Sequence, residues 1–222
     1  MKTKEKKSVI FGVVSIILFA IWTILIQVFD VQKIGANGTS IGFATINGYF
    51  HSLTGVNMTL YNVTDWLGLV PIFVCMFFGF VGLVQLINRK NPLKVDFDII
   101  ILGVYYVIVI LCYLIFEMYP INYRPILINN FLEASYPSST TLLVLCVMPT
   151  LVFQVNQRLK NDKIKRIICI ITIAFSLFMV VGRLISGVHW FTDIIGSCLL
   201  SMGVFYLYKG VVLWNLMRKF KN

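Results

Sequence analysis

Long apolar stretches separated by short polar segments dominate this chain. A helix needs about 20 consecutive apolar residues to cross the hydrocarbon core of a bilayer. Six stretches meet this length, and the first is too long for the core of a secretory signal. They fall at about residues 8–29, 66–87, 98–118, 139–157, 167–186 and 191–213. The pattern predicts an all-α protein, an integral membrane six-helix bundle that forms a single domain over residues 1–222.

The composition excludes most other classes of protein. Of the 222 residues, 59% are hydrophobic and only 13% are charged, whereas an ordinary soluble domain carries about 25% charged residues. A soluble domain of this length cannot bury so much apolar surface. The five cysteines lie inside apolar runs, without the spacing of a metal site. A disordered chain and a secreted disulfide scaffold are disfavoured for the same reasons.

Basic residues collect on one side of the predicted spans. All but three of the 19 Lys and Arg residues, from Lys2 to Lys221, lie before span one, between spans two and three, between spans four and five, or at the end of span six and beyond. Because positive charge favours the cytoplasmic side, both termini are expected to be cytoplasmic. The net charge of +10 therefore indicates topology and contact with anionic lipid rather than a nucleic-acid partner.

Three groups of polar residues meet at the other, extracytoplasmic face. Charged residues near or within spans are costly, so they indicate a functional site. By the order of the spans, the ends of spans three and five and the starts of spans four and six share this face. The groups found there are Arg124 with Pro125, the run from Pro137 to Thr140, and Arg183 with His189 and Asp193.

These residue types suit the binding and attack of a phosphate. Asp193 lies four residues after His189, so it can accept a hydrogen bond from one ring nitrogen and leave the other free to attack. The guanidinium groups of Arg124 and Arg183 suit bidentate recognition of phosphate oxygens. The remaining histidine, His51, has no companion motif and is interpreted as a loop residue.

The start of span four offers a second source of anion contacts. Ser138 follows a proline and is predicted as the N-cap of the helix. The free backbone N–H groups of the first turn, with the hydroxyls of Ser138, Ser139 and Thr140, form a candidate anion site. Taken singly, an outer arginine is more typical of a surface anchor and Pro-Ser of a simple cap. The convergence of these groups at one face favours the functional interpretation.

The residues between 117 and 193 resemble the three-part motif of the type 2 phosphatidic acid phosphatase superfamily. In its lipid-acting members, this family has six membrane helices. The resemblance implies that His189 is a nucleophile that forms a phosphohistidine, oriented by Asp193, while Arg124, Ser138 and Arg183 bind the phosphate. It also implies a lipid phosphate substrate, no metal and no other cofactor. The matching positions are Arg124, Pro125, Pro137, Ser138, Arg183, His189 and Asp193.

Four positions depart from the family pattern. Glu117 stands in place of a lysine, Gly182 in place of a serine, Ser139 in place of a glycine, and Thr140 in place of the histidine that acts as general acid. Without that acid, an alkoxide is a poor leaving group, and assistance of this kind is worth about 10²–10⁴-fold in rate. A phosphate leaves unaided. A polyprenyl diphosphate, such as an undecaprenyl-type carrier, is therefore the expected substrate.

Glu117 has two interpretations. It could replace the missing histidine as the acid, or it could pair with Arg124 at the end of span three. The second interpretation is the expected one.

Other functions agree with parts of the same pattern. Loss of the lysine and the histidine is compatible with a protein that binds lipid phosphates without hydrolysing them. A phosphotransferase with a lipid donor would use the same residues. A small transporter or channel component would instead place ionisable groups at mid-membrane in several spans. The length of the spans and the short loops favour the plasma membrane of a bacterium.

Overall fold

The computed structural model describes the backbone of residues 3–219 and the side chains of residues 4–218. Over this range, it contains eight α-helices: α1 (Thr3–Val28), α2 (Ala44–Thr54), α3 (Met58–Leu67), α4 (Leu69–Arg89), α5 (Phe97–Met118), α6 (Ser139–Arg158), α7 (Asp162–Ile185) and α8 (Phe191–Lys219). Single 3₁₀ turns occur at Ala36–Gly38 and Pro92–Lys94. Six segments are long and apolar enough to cross a membrane, which confirms the predicted all-α six-span fold.

The second span differs from the prediction at its start. Apolar sequence predicted a span from about residue 66, but α4 begins at Leu69 and α3 precedes it directly, so the candidate span runs over Met58–Arg89. The outer segment before this span contains two helices, α2 and α3. Gly55, at φ +59°, ends α2 in a conformation that favours glycine. The Asn57 side chain then caps α3 by accepting from the Leu60 N–H at 2.9 Å.

Two helices, α6 and α8, form the centre of the bundle. In the 18-residue apolar stretch of each span, about half of the residues are buried in α6 and 44% in α8, against 17–28% in the other spans. The outer helix α1 packs along α8 at small residues. A Cβ on Gly12 would lie 2.9 Å from Leu207, so glycine permits the close approach of the two helices.

Ion pairs join α4, α5 and α6 at one end of the bundle. Asp96 accepts from Arg89 at 2.8 Å and from Arg158 at 3.2 Å, and Arg158 also reaches Asp98 at 2.5 Å. The polar groups singled out in the sequence lie at the opposite end, with α2 and α3. Which side of the membrane each end faces stays a prediction from the charge pattern. Two of the cations in that pattern, Lys2 and Lys221, lie outside the described residues.

Candidate active site

The turn between α7 and α8 carries His189 into the protein interior. Gly187, at φ +67°, makes the turn possible, and a Cβ there would collide with the carbonyl oxygen of Gly55. His189 is 3% exposed, and Asp193, in the first turn of α8, is fully buried. The local sequence thus places an imidazole and a carboxylate close together in the buried interior.

The expected direct hydrogen bond between Asp193 and His189 is wrong. The distance from His189 Nδ1 to Asp193 Oδ2 is 3.7 Å, because the hydroxyl of Ser135 lies between them. Ser135 Oγ is 3.2 Å from His189 Nδ1 and donates a short hydrogen bond to Asp193 Oδ2. Asp193 also accepts from the Trp190 N–H at 2.8 Å. The carboxylate therefore reaches the imidazole through a serine that no motif had indicated.

These contacts decide which ring nitrogen carries the proton. His189 Nδ1 lies 3.2 Å from the carbonyl oxygen of Ser135. Because a carbonyl oxygen only accepts, the contact requires Nδ1–H. The lone pair is then on Nε2, which is buried and has no hydrogen-bond partner. Burial, with the positive charges of Arg124 and Arg183, holds the pKa of His189 well below its ordinary value.

Arg183 is buried at the end of α7 among groups from α3 and α6. Its Nη2 donates to Thr140 Oγ1 at 2.5 Å and to Asp65 Oδ1 at 3.0 Å. Its Nη1 is 3.3 Å from both Thr64 Oγ1 and the carbonyl oxygen of Tyr61. The guanidinium is 1% exposed, and its Nε has no hydrogen-bond partner. Thr140 therefore serves as an acceptor for this arginine.

Arg124 lies near the same aromatic ring. Its guanidinium carbon is 5.6 Å from the centre of the Tyr61 ring, and that of Arg183 is 4.7 Å from it. Its Nη2 pairs with Glu133 at 3.2 Å, so the pairing expected with Glu117 is wrong: the loop before α6 brings Glu133 closer. Nε and Nη1 of Arg124 are buried without partners.

The start of α6 differs in detail from the predicted anion site. Ser138 occupies the N-cap position, but its hydroxyl makes no capping bond and donates to Thr141 Oγ1 at 3.0 Å. Ser138 is fully buried. Ser139 lines two cavities beside the arginines. Of the three hydroxyls predicted to face an anion, that of Ser139 therefore remains without an intramolecular role among the hydrogen bonds of the described residues.

A small polar cavity and a larger apolar groove meet at Ser139. The cavity, of about 250 Å³, is lined by Glu117, Arg124, Glu133 and Ser135 among others. The groove, of about 480 Å³, lies between α4, α5 and α6. It begins at Asp65 and Thr140 and continues along apolar side chains to Val147. A further apolar cavity of about 470 Å³ between α4 and α5 shares Cys75 and Tyr106 with it.

His51 is not the loop residue that the sequence suggested. It lies in α2, and its ring packs on Trp190 with the centroids 5.6 Å apart. Over residues 3–219, no three His, Cys, Asp or Glu side chains come together in a group that could hold a metal ion.

Sequence reasoning missed five residues around the two arginines and the imidazole. Asp65 alone carried a signal, as a charge at the edge of an apolar run. The other four have no local pattern, because their partners lie far away along the chain. The five are Tyr61, Thr64, Asp65, Glu133 and Ser135.

The fold and the site define a helical membrane protein with a buried cationic site at one end of its bundle. The family model of the PAP2 superfamily matches residues 98–217, more than half of the chain, and the chain belongs to this superfamily. The predicted membership is thereby confirmed. No curated protein matches the sequence significantly.

A solved structure has the same fold. It is the first transmembrane PAP2-type phosphatidylglycerolphosphate phosphatase from Bacillus subtilis, which superposes with a TM-score of 0.65 at 19% sequence identity. The superposition covers 91% of this chain and 96% of that protein. The likeness therefore extends beyond the part matched by the family model.

Proposed function

We propose that this protein releases phosphate from a membrane lipid through a covalent intermediate on His189. The observation that carries this proposal is a set of buried nitrogen atoms without partners: Nε2 of His189, Nε and Nη1 of Arg124, and Nε of Arg183. A buried polar atom without a hydrogen bond is costly, and a phosphate would supply acceptors to the arginines and phosphorus to the imidazole. Membership in the PAP2 superfamily supports the same chemistry.

The proposed reaction has two steps. The lone pair of His189 Nε2 attacks phosphorus, and the bond from phosphorus to the leaving oxygen breaks with its electron pair on that oxygen. Water then attacks the phosphohistidine, giving inorganic phosphate and restoring the neutral ring. Asp193, acting through the hydroxyl of Ser135, stabilises the positive charge that the imidazole acquires in the first step. Two arginines stabilise the charge on the phosphoryl oxygens. The proposed phosphate-binding residues are these arginines and three residues at the start of α6: Arg124, Arg183, Ser138, Ser139 and Thr140.

The apolar groove supports a lipid substrate. It starts beside the arginines and continues between helices whose outer faces are apolar. A hydrocarbon chain in this groove would bring the phosphate end of the lipid toward Arg183, which contacts both Thr140 and Asp65 at the start of the groove. We therefore propose that the tail lies along α4, α5 and α6 while the phosphate lies at His189.

We further propose a preference for a polyprenyl diphosphate. The hydroxyl of Thr140 accepts from Arg183 at 2.5 Å, and a hydroxyl is in any case too weak an acid to protonate an alkoxide at neutral pH. A diphosphate avoids this difficulty because its leaving group is a phosphate. Faster hydrolysis of phosphatidate than of polyprenyl diphosphate by the purified protein would contradict the preference.

Glu117 is a candidate for the general acid that protonates the leaving group. It lines the polar cavity together with Arg124, and its carboxyl is free of the expected ion pair with that arginine. If it protonates the leaving group, Glu117→Gln should slow a lipid monophosphate much more than a diphosphate. Equal effects on both substrates would exclude the role.

We also propose that residues 1–222 act as one unit in a bacterial plasma membrane with the site facing outward, and the charge pattern supports this orientation. Reporter fusions test this orientation. A reporter that is active only in the cytoplasm should be active at the C-terminus. Activity there of a reporter that requires export would reverse the assignment.

A phosphate-release assay with a trapped intermediate tests the proposed function. Purified protein is given a panel of lipid monophosphates and diphosphates, and acid-stable and acid-labile protein-bound phosphate are then separated. We expect release, with acid-labile phosphate on the wild type and none on His189→Ala. The matched control is His51→Ala, which changes the only other histidine and should keep both signals. Phosphate release by the wild type that is no higher than by His189→Ala would favour a protein that only binds lipid phosphates. Transfer of the phosphate to a lipid alcohol would favour a phosphotransferase.

A further inference from the structure

Helix α3 supplies most of the surroundings of Arg183, although it lies outside the part of the chain that the family model matches. Three of its residues contact the guanidinium: Tyr61 through its ring and its carbonyl oxygen, Thr64 through its hydroxyl, and Asp65 through its carboxylate. One arginine of the phosphate site is therefore enclosed by a helix of the first loop and second span.

Two glycines fix α3 against α7. A Cβ on Gly182, where the family pattern has serine, would lie 2.8 Å from Thr64 Cγ2, which is too close without a shift. A Cβ on Gly187 would meet the backbone of Gly55. The Asn57 N–H also donates to the Ser186 carbonyl oxygen at 2.9 Å. The departure at Gly182 thus provides the space that brings α3 to the arginine.

Asp65 differs from the other partners of Arg183. Its side chain is 57% exposed, whereas Thr64 is fully buried and Thr140 is 8% exposed. We expect Arg183 to keep its position without a carboxylate, since Thr64, Thr140 and Tyr61 contact both terminal nitrogens and the face of the guanidinium. The carboxylate therefore adds little to the placement of the arginine.

Asp65 lies where it can compete with a substrate phosphate for Arg183. Its oxygen takes the Nη2 edge of Arg183, and a phosphate oxygen would use the same donors. Like charges at one guanidinium repel each other, so a phosphate that binds Arg183 competes with this carboxylate. Asp65 also lines the mouth of the apolar groove.

We propose that Asp65 is a specificity-determining residue that excludes phosphate esters lacking a lipid tail. A tail in the groove contributes binding free energy that offsets the displacement of the carboxylate. A soluble ester or free phosphate has no such contribution and competes poorly with Asp65. This inference rests on the proposed function for the identity of its substrate. The competition between Asp65 and phosphate for Arg183 can be measured separately.

The substitution Asp65→Asn tests the inference, because it keeps the shape of the side chain and removes its charge. The soluble substrate is p-nitrophenyl phosphate, whose leaving group needs no acid, and the lipid substrate is a long-chain polyprenyl diphosphate in the same detergent. We expect kcat/KM for the soluble ester to rise about tenfold, while that for the lipid changes less than about threefold. An equal fall for both substrates would show that Asp65 only positions Arg183, and would overturn the inference. No change for either would overturn it as well.

Two control variants separate charge from shape. Asp65→Glu keeps the charge and should not gain activity on the soluble ester. Asp162→Asn removes an exposed carboxylate at the other end of α7, where it pairs with Lys165, and should leave both values unchanged. A gain in Asp162→Asn equal to that in Asp65→Asn would assign the effect to net charge and overturn the inference.

Direct binding of inorganic phosphate, measured by calorimetry, does not depend on turnover. We expect Asp65→Asn to bind phosphate about tenfold more tightly than the wild type. Tighter binding without hydrolysis in either protein would support the competition and reject the proposed function. Hydrolysis by both proteins with unchanged phosphate affinity would support the function and reject the competition.

Discussion

At the scale of single residues, the proposed chemistry of the site requires that one imidazole stay neutral. His189 is buried, two arginines raise the local potential, and the nearest carboxylate acts through Ser135. A neutral ring is the form with a lone pair to donate. The surroundings that lower its pKa therefore favour a nucleophile over a general acid.

The pH dependence of the reaction should reflect this lowered pKa. Protonation of Nε2 removes the nucleophile, so activity should fall only as the pH drops through the pKa of His189. Because that pKa lies below the ordinary value of 6.5, the acid limb of kcat/KM should have its midpoint below about pH 6.5. A kcat/KM profile of the purified protein measures it. A midpoint at or above 6.5 would contradict a neutral, buried ring.

Ser135 offers a test of the relay between Asp193 and His189. Ser135→Ala removes the hydroxyl that contacts both groups and leaves the carboxylate 3.7 Å from the ring. Loss of a hydrogen bond to a charged group is worth about 1.5–3 kcal/mol, so we expect kcat to fall by roughly 10- to 100-fold with little change in KM. The matched control is Ser176→Ala, which removes a hydroxyl bonded only within α7. An unchanged kcat would exclude the relay.

The residues that could be predicted from the sequence share one property. Arg183, His189 and Asp193 lie within one short segment, so their spacing and the order of the spans indicated a shared site. Asp65 contacts Arg183 from 118 positions away, and no local pattern reports such a contact. Ser135 was missed because a serine in a loop has many ordinary roles.

At the scale of elements, α3 shows how a small residue determines which helix completes a site. Six apolar spans were predictable because the bilayer requires a fixed length of apolar sequence. The division of the first outer segment into α2 and α3 was not, because it depends on Gly55 and on the fit of α3 against Gly182. Tertiary contacts outweigh local preference at such positions.

The fit at Gly182 leads to a prediction about stability and binding. Gly182→Ala should force Thr64 away from α7 and disturb Arg183, because its Cβ would lie 2.8 Å from Thr64 Cγ2. Overpacking of this kind costs about 1–3 kcal/mol, so we expect a lower unfolding temperature and a higher KM. Gly79→Ala is the matched control, since a Cβ there meets nothing within 4 Å. If the two variants behave alike, α3 does not depend on this glycine.

At the scale of the whole molecule, the bundle combines a tightly packed half with a looser one. The pairs α1 with α8 and α6 with α8 form the packed half, whereas α4, α5 and α6 leave the groove between them. The groove on this second side has room for a lipid tail. We therefore expect selectivity for a lipid substrate to depend on the space between these three helices.

Filling the groove should affect long-chain substrates most. Ile72 lines the groove, and its neighbour Phe73 faces away from it. Ile72→Trp should lower kcat/KM for a long-chain lipid phosphate about tenfold and leave the value for a soluble ester within about threefold. Phe73→Trp is the matched control and should change neither. Equal effects of the two tryptophans would show that the tail lies elsewhere.

The ion pairs around Asp96 have a consequence for motion. They join α4, α5 and α6 at the far end of the helices from Arg183, and the second apolar cavity ends beside Pro92 and Val95 in the same region. Helices that are held together at one end can move apart most at the other end. Fluctuations of these helices should therefore part them beside Asp65, so that a lipid slides in sideways from its own leaflet without leaving the bilayer.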